Sequence, residues 1–209
     1  MIEDENITQE EYDALIKPYE EALAFVTLRL NGMDREYRTL SRNYPIHSMQ
    51  QRIKSRGSII RKLMNKGRSV SGSSAEECLT DIAGIRIIVY FEQDIYTVVK
   101  DLKKQQDVKV IKETDYVKNP KSNGYKSYHL VLNVPVYRMR ETRFYPVELQ
   151  IRTLSMDLWA SMEHRICYKN WRGDDVPDAV KNMLKLYANG LETMEQDMYE
   201  QCLLGRNPG

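Results

Sequence analysis

From Tyr12 onward, apolar side chains recur at Leu15, Ile16, Tyr19, Leu23, Val26, Leu30, Met33, Tyr37 and Leu40. Spacings of three and four residues belong to one face of a helix, so the pattern predicts a long amphipathic helix here. Thr8 to Glu11 (TQEE) supplies a capping-box start, and Pro18 marks a kink or a late beginning. So long an apolar stripe has to be buried, against this chain or against a second copy. Asn43-Tyr44-Pro45 turns the chain, and the period then drops to two. Over Ile46 to Lys54, a predicted strand, Ser48, Gln50, Arg52 and Lys54 share one face.

Gly57 to Asn65 reads as helix again, and Lys66 to Ser74 (KGRSVSGSS) as a flexible polar loop. Gly84 to Phe91 (GIRIIVYF) concentrates β-branched and aromatic residues and is the most strand-like segment of the chain. A helix over Gln93 to Lys104 and a strand over Val108 to Lys112 follow, giving a βαβ-like core. Two more strands are predicted, Lys126 to Val134 and Arg143 to Arg152, joined by a polar connection around Arg138 to Thr142. Leu154 to Lys169 and Pro177 to Leu204 then read as helices, with Pro177 suited to a first turn. This order predicts an α+β (mixed α/β) fold, a mixed sheet of about five strands flanked by helices, with long helices at both ends. We expect one unit over residues 1–209, made of a helical part (1–44), a catalytic sheet core (45–153) and C-terminal helices (154–209).

Composition narrows the function classes. Lys and Arg number 31 against 30 Asp and Glu, a net charge of +1 that gives no case for a general DNA-coating protein. The distribution is uneven: Arg52, Lys54, Arg56, Arg61, Lys62, Lys66 and Arg68 fall in one run that contains no acid. A local cationic surface on a near-neutral chain suits a compact anionic ligand such as a polyphosphate. The three cysteines show no CxxC spacing, so neither a zinc site nor a disulfide framework is indicated. No apolar run approaches a membrane span, and we expect a cytoplasmic protein with no membrane partner.

The chemistry-bearing residues sit on or beside the strands. In PVELQIR, Val147, Leu149 and Ile151 form an apolar face while Glu148, Gln150 and Arg152 point the other way. In TDIAGIR, Asp81 precedes the strand, Gly84 leaves room for close approach, and Arg86 follows. NPKSNGYKSYH carries two turn signals, Asn119-Pro120 and Asn123-Gly124, yet also Tyr125, Tyr128 and His129 among Lys118, Lys121 and Lys126, more than a turn requires. Each segment alone is compatible with an ordinary half-exposed strand or turn. Their recurrence points to one cleft lined by Arg52/Lys54, Asp81/Arg86, Ser127/His129 and Glu148/Gln150/Arg152. Two carboxylates amid many cations are what metal-assisted phosphoryl transfer needs, because Mg²⁺ takes hard oxygen ligands and leaves part of its shell to substrate phosphates. No Walker GxxxxGK[ST], GxGxxG or protein-kinase signature set is present. His47, His129 and His164 are scattered, and His164 is expected to be a helix-packing residue.

DIAGIR, NGYKSYH, VELQIRT and MDLWASMEH, in that order and spacing, resemble the RelA/SpoT-type (p)ppGpp synthetases, in the stand-alone form of the small alarmone synthetases. The resemblance implies a nucleotidyltransferase-like sheet and a GTP pyrophosphokinase reaction. In such enzymes the 3′-hydroxyl of GTP, GDP or GMP attacks the β-phosphorus of ATP and AMP is released. It further implies Asp81 as Mg²⁺ ligand and Glu148 as base toward the 3′-hydroxyl, also within reach of the metal. Arg52 and Arg86 would sandwich adenine, and Lys54, Ser58 and Lys62 would hold the ATP phosphates. Tyr125 would stack on guanine, His129, Gln150 and Arg152 would line the acceptor site, and Lys118 and Lys121 would meet acceptor phosphates. No His-Asp pair occurs, which implies no alarmone hydrolase activity. A homotetramer is implied as well.

Two other readings remain open at this level. A non-catalytic nucleotide or RNA sensor would use the same basic run and aromatic loop, although it would gain by losing two phosphate-repelling carboxylates. An adenylyltransferase would use the same residues but release pyrophosphate instead of AMP.

Overall fold

The computed structural model describes residues 7–40, 44–170 and 176–204. Its first element is helix α1 (Gln9–Leu40). The capping box forms as expected: Thr8 N–H donates to Glu11 Oε2 at 2.8 Å, and Glu11 N–H donates to Thr8 Oγ1 at 3.2 Å. The helix runs through Pro18. A proline there forfeits one backbone bond, a cost of about 3 kcal/mol, which the burial of Leu15, Tyr19, Leu23, Val26, Leu30 and Met33 along the same helix offsets. As far as Met33 the stripe is therefore covered within the subunit, the first of the two alternatives it left open, while Leu40 at its end is exposed. Of the expected Asn43-Tyr44-Pro45 turn, Asn43 lies outside the described residues.

The sheet has five strands: β1 (Ile46–Ile53), β2 (Ala83–Val89), β3 (Lys109–Asp115), β4 (Tyr128–Tyr137) and β5 (Thr142–Thr153), in the order β1-β2-β5-β4-β3. Only the β2/β5 pair is parallel; β1/β2, β4/β5 and β3/β4 are antiparallel. The expected βαβ-like unit is present as β2, α4 and β3, with its two strands separated in the sheet. Strands β2 and β3 do run parallel to each other, but β5 and β4 lie between them, inserted from later in the chain. A crossover helix fixes handedness and direction, whereas adjacency depends on which strands arrive afterwards. Helix α4 (Glu92–Lys103) makes that crossover.

Helix α2 (Arg56–Asn65) follows β1, and helix α3 (Gly72–Cys78) begins inside what the sequence suggested was loop. Ser71 caps α3, its Oγ accepting from Ser74 N–H at 3.2 Å. Ile85, Ile87, Val147, Leu149, Ile151, Leu130 and Leu132 form the apolar face of the sheet, and they share one core with α1 and with Ile95, Val98, Val99 and Leu102 of α4. Helix α5 (Leu154–Asn170) continues from β5 without a break and packs on α6 (Asp178–Leu204). No helix among the described residues is long and apolar enough to cross a membrane.

Candidate active site

With one sheet face committed to the core, period two sends the intervening side chains to the other. Strand register then lines them up. Gln50, Arg86, Gln150, His129 and Thr114 make one row across all five strands. One step along lie Arg52, Gly84, Glu148 and Val131. Gly84 separates Arg52 from Glu148 in the register, and a Cβ there would lie 3.4 Å from the Glu148 carbonyl oxygen. Gln50, Arg52, Gly84, Arg86, Glu148 and Gln150 line one cleft on this face.

Asp81 sits in the turn before β2 and is buried. Its Oδ2 accepts from Lys54 Nζ at 2.9 Å and from Lys62 Nζ at 2.6 Å. Burial pushes the carboxyl pKa up, but the hydrogen bonds and charges of Lys62 and Lys54 outweigh it and hold the group below its ordinary range. Its Oδ1 is buried and has no hydrogen-bond partner. Ser58, in the first turn of α2, shares a hydroxyl contact with Ser55 at 2.9 Å.

Glu148 lies in mid-β5. Burial raises its pKa, while contact with His129 and a hydrogen bond from Gln150 lower it, with the net shift downward; Asp81 is close enough to act against that shift. Gln150 Nε2 donates to Glu148 Oε2 at 2.9 Å, and His129 Nδ1 approaches Oε1 at 3.5 Å. On the other side of the imidazole, Nε2 lies 2.9 Å from Tyr125 Oη, and Arg152 donates to the same Oη at 2.9 Å. The guanidinium can only donate, so the Tyr125 oxygen accepts from Arg152 while also lying within hydrogen-bond distance of the imidazole. Arg152, Tyr125, His129 and Glu148 thus form a continuous chain of polar contacts that ends on the carboxylate.

Asp157, in the first turn of α5, extends this chain. Its Oδ1 lies 3.1 Å from Arg152 and 3.3 Å from Arg86. Burial and the nearby Arg152 cation lower the Arg86 pKa, and Asp157 opposes them. Sequence reasoning placed Asp157 inside a motif but gave it no role; the signal was an acid on the first helical turn after a strand ending in arginine. Tyr116 and Trp159 were also missed. With His129 they surround Tyr125 edge-on, at centroid distances of 6.0, 6.3 and 6.1 Å.

The structure gathers Arg52, Lys54, Lys62, Asp81, Arg86, Tyr125, His129, Glu148, Gln150 and Arg152 on one side of the sheet. Lys121 joins them, its Nζ 5.0 Å from the Tyr125 centroid. Lys118 lies instead over the ring of Tyr96 on α4. Ser127 is buried against the Ile151 carbonyl, and His164 is exposed on α5 rather than packed as expected. Among the described residues no cluster of three or more His, Cys, Asp or Glu could hold a metal. Two carboxylates nevertheless fit a Mg²⁺ ion that shares its shell with phosphates, and the unpartnered, buried Asp81 Oδ1 offers an oxygen for it.

The family model described as a region found in RelA / SpoT proteins matches residues 51–172. GTP pyrophosphokinase YwaC of Bacillus subtilis is 36% identical over 197 residues, covering 94% of this chain and 93% of that protein. Small alarmone synthetase 1 of the same species, solved with its product pppGpp, superposes with a TM-score of 0.83 at 29% identity, over 95% of this chain and all of that one. The same synthetase bound to AMPCPP gives 0.74 at 28% identity, over 92% and 96% of the two chains. The family match over residues 51–172, a span that contains Asp81, the aromatic loop and Glu148, together with the similarity to YwaC over almost the whole length, makes this chain a member of the RelA/SpoT family.

Proposed function

We propose that this protein is a GTP pyrophosphokinase, a small alarmone synthetase transferring the β,γ-pyrophosphate of ATP to the 3′-hydroxyl of GTP or GDP, with GMP as a further acceptor. The observation that carries it is the pair of ionised carboxylates, Asp81 and Glu148, on a cation-rich sheet face, in a chain similar over almost its full length to YwaC.

Each residue has a task that its surroundings suit. Glu148 accepts the 3′-hydroxyl proton; it stays ionised at neutral pH, and the Gln150 and His129 contacts fix its orientation. Lys54 and Lys62, with Ser58, hold the ATP phosphates. Both ammonium groups rest on Asp81, so an arriving polyphosphate competes with that carboxylate for them. Arg52 and Arg86 bracket adenine with planar guanidinium groups. Tyr125 stacks on guanine, Lys121 meets acceptor phosphates, Lys118 joins it only on leaving the Tyr96 ring, and His129, Gln150 and Arg152 line the acceptor pocket. Asp81 and Glu148 would hold Mg²⁺, whose charge, when bound, offsets that of the transferring phosphates. A homotetramer belongs to this reading; Leu186 and Met198 of α6 are 67% and 59% exposed, which suits an apolar contact between copies.

Purified protein incubated with ATP, Mg²⁺ and each of GTP, GDP and GMP should release AMP and yield the 3′-pyrophosphorylated acceptor. Release of free pyrophosphate in place of AMP would identify an adenylyltransferase and overturn the assignment.

A further inference from the structure

The acceptor loop does not rest on the sheet alone; three consecutive residues of it, Gly124, Tyr125 and Lys126, are tied to α6. Gly124 adopts φ +93, and a Cβ there would come within 2.9 Å of Ala188 Cβ and 3.1 Å of Lys185 Cα. Glycine is thus required twice, by the backbone conformation and by its contact with the helix. Tyr125 packs against Trp159, whose indole N–H donates to the Leu184 carbonyl at 2.7 Å. Lys126, whose side chain is 14% exposed, pairs with Glu192. Leu184, Ala188, Glu192 and Glu195 recur at helical spacing and form one stripe of α6. The stripe continues to Glu195, which accepts from Ser155 at the junction of β5 and α5. Leu184 is the only fully buried residue of the helix among those described, so these polar and small-residue contacts carry much of its attachment.

We propose that α6 is a positioning element for the acceptor loop, with Glu192 holding Lys126 and Ala188 seating Gly124, so that the intervening Tyr125 is presented to the guanine base. This rests on the reading of the loop as the acceptor site. None of the α6 residues reaches the cleft between Arg52 and Glu148. Their effect should therefore fall on the acceptor and spare ATP.

The test is a charge-reversal cycle, with Glu192→Lys, Lys126→Glu and the double variant in a Trp171→Phe background, so that Trp159 is the sole tryptophan. GDP binding is followed by tryptophan fluorescence without ATP, and the two KM values are measured in the transfer reaction. Each single reversal should weaken GDP binding and raise the acceptor KM by roughly five- to tenfold, leave the ATP KM within about twofold, and be largely restored by the double variant. Glu192→Gln, which deletes the charge without repulsion, should give a smaller effect in the same direction and covers the case of a reversal that fails to fold. Equal changes in both KM values, or no rescue, would overturn the proposal. GDP binding that responds as expected while no pyrophosphate is transferred would leave the positioning role standing and reject the pyrophosphokinase reading. Absence of GDP binding by the unsubstituted protein would reject both.

Discussion

Replacing Asp81 by Asn isolates the electrostatic centre of the donor side, because the two side chains have the same shape and only the charge is removed. Lys54 and Lys62 would then face each other at one point without a counterion. Removing one partner of a buried ion pair costs about 3–5 kcal/mol. Lys54 is 13% exposed but Lys62 is 39% exposed, so water screens part of the repulsion, and about 2 kcal/mol is the reasonable figure. For a chain of this length that lowers Tm by roughly 4–8 °C, measurable by calorimetry at neutral pH. The pH dependence has a definite sign. The Asp81 pKa is depressed in the folded protein, so its contribution is present above the ordinary aspartate value of 3.8 and is lost as pH falls through the lower folded value. The gap in Tm between the two proteins should close only below that range. ATP added without metal should stabilise Asp81→Asn more than the unsubstituted protein, since its phosphates take the place of the missing carboxylate. An Asp81→Asn protein as stable as the original at pH 7 would refute the arrangement of two lysines on one carboxylate as a stabilising centre.

Glu148→Gln should lower kcat by about 10²- to 10⁴-fold with little change in acceptor KM, and an unchanged rate would reject Glu148 as the base. Tyr125→Phe keeps the stacking ring but removes the hydroxyl shared by His129 and Arg152; it should destabilise the site by about 1–3 kcal/mol, read as a raised acceptor KM at constant ATP KM. Leu30, wholly buried in α1, should cost about 2–5 kcal/mol when cut to alanine, seen as a shifted urea midpoint with an unchanged slope. Light scattering at micromolar concentration should give four times the subunit mass of 24.6 kDa, and a monomer mass would reject the tetramer.

Much of the sheet was readable because a strand with one buried face writes its alternation into the sequence: PVELQIR and the run from Ser48 to Lys54 each separate polar from apolar positions. The capping box at Thr8 was legible for a similar reason, being a contact between residues three apart. What could not be read were relations between distant segments. Insertion of β5 and β4 between β2 and β3 is settled by packing after the crossover is made. Asp157 bridges Arg86 and Arg152 only because α5 leaves β5 without a loop, which turns its first residues back over the cleft. Gly124 advertised a turn, and the turn is there, but its second reason for being glycine lies on a helix 60 residues later. The cap at Ser71 was hidden by composition, since four serines and two glycines look like a linker until a single hydroxyl is seen to start a helix.

The one parallel pairing in the sheet has a temporal consequence. Gly84 and Glu148 are neighbours in register but 64 positions apart in the chain, and both carboxylates depend on that seam. Contacts of such long separation form slowly, because loop closure has to precede any stabilisation from pairing. During synthesis β1, β2 and the cationic helix α2 are complete well before β5 emerges, so Asp81 and its lysines wait beside an open sheet edge. A chain released or cut anywhere before Glu148 would carry Asp81 and its lysines with no Glu148 opposite them, and on the reading of Glu148 as the base it should be inert as a catalyst until β5 docks.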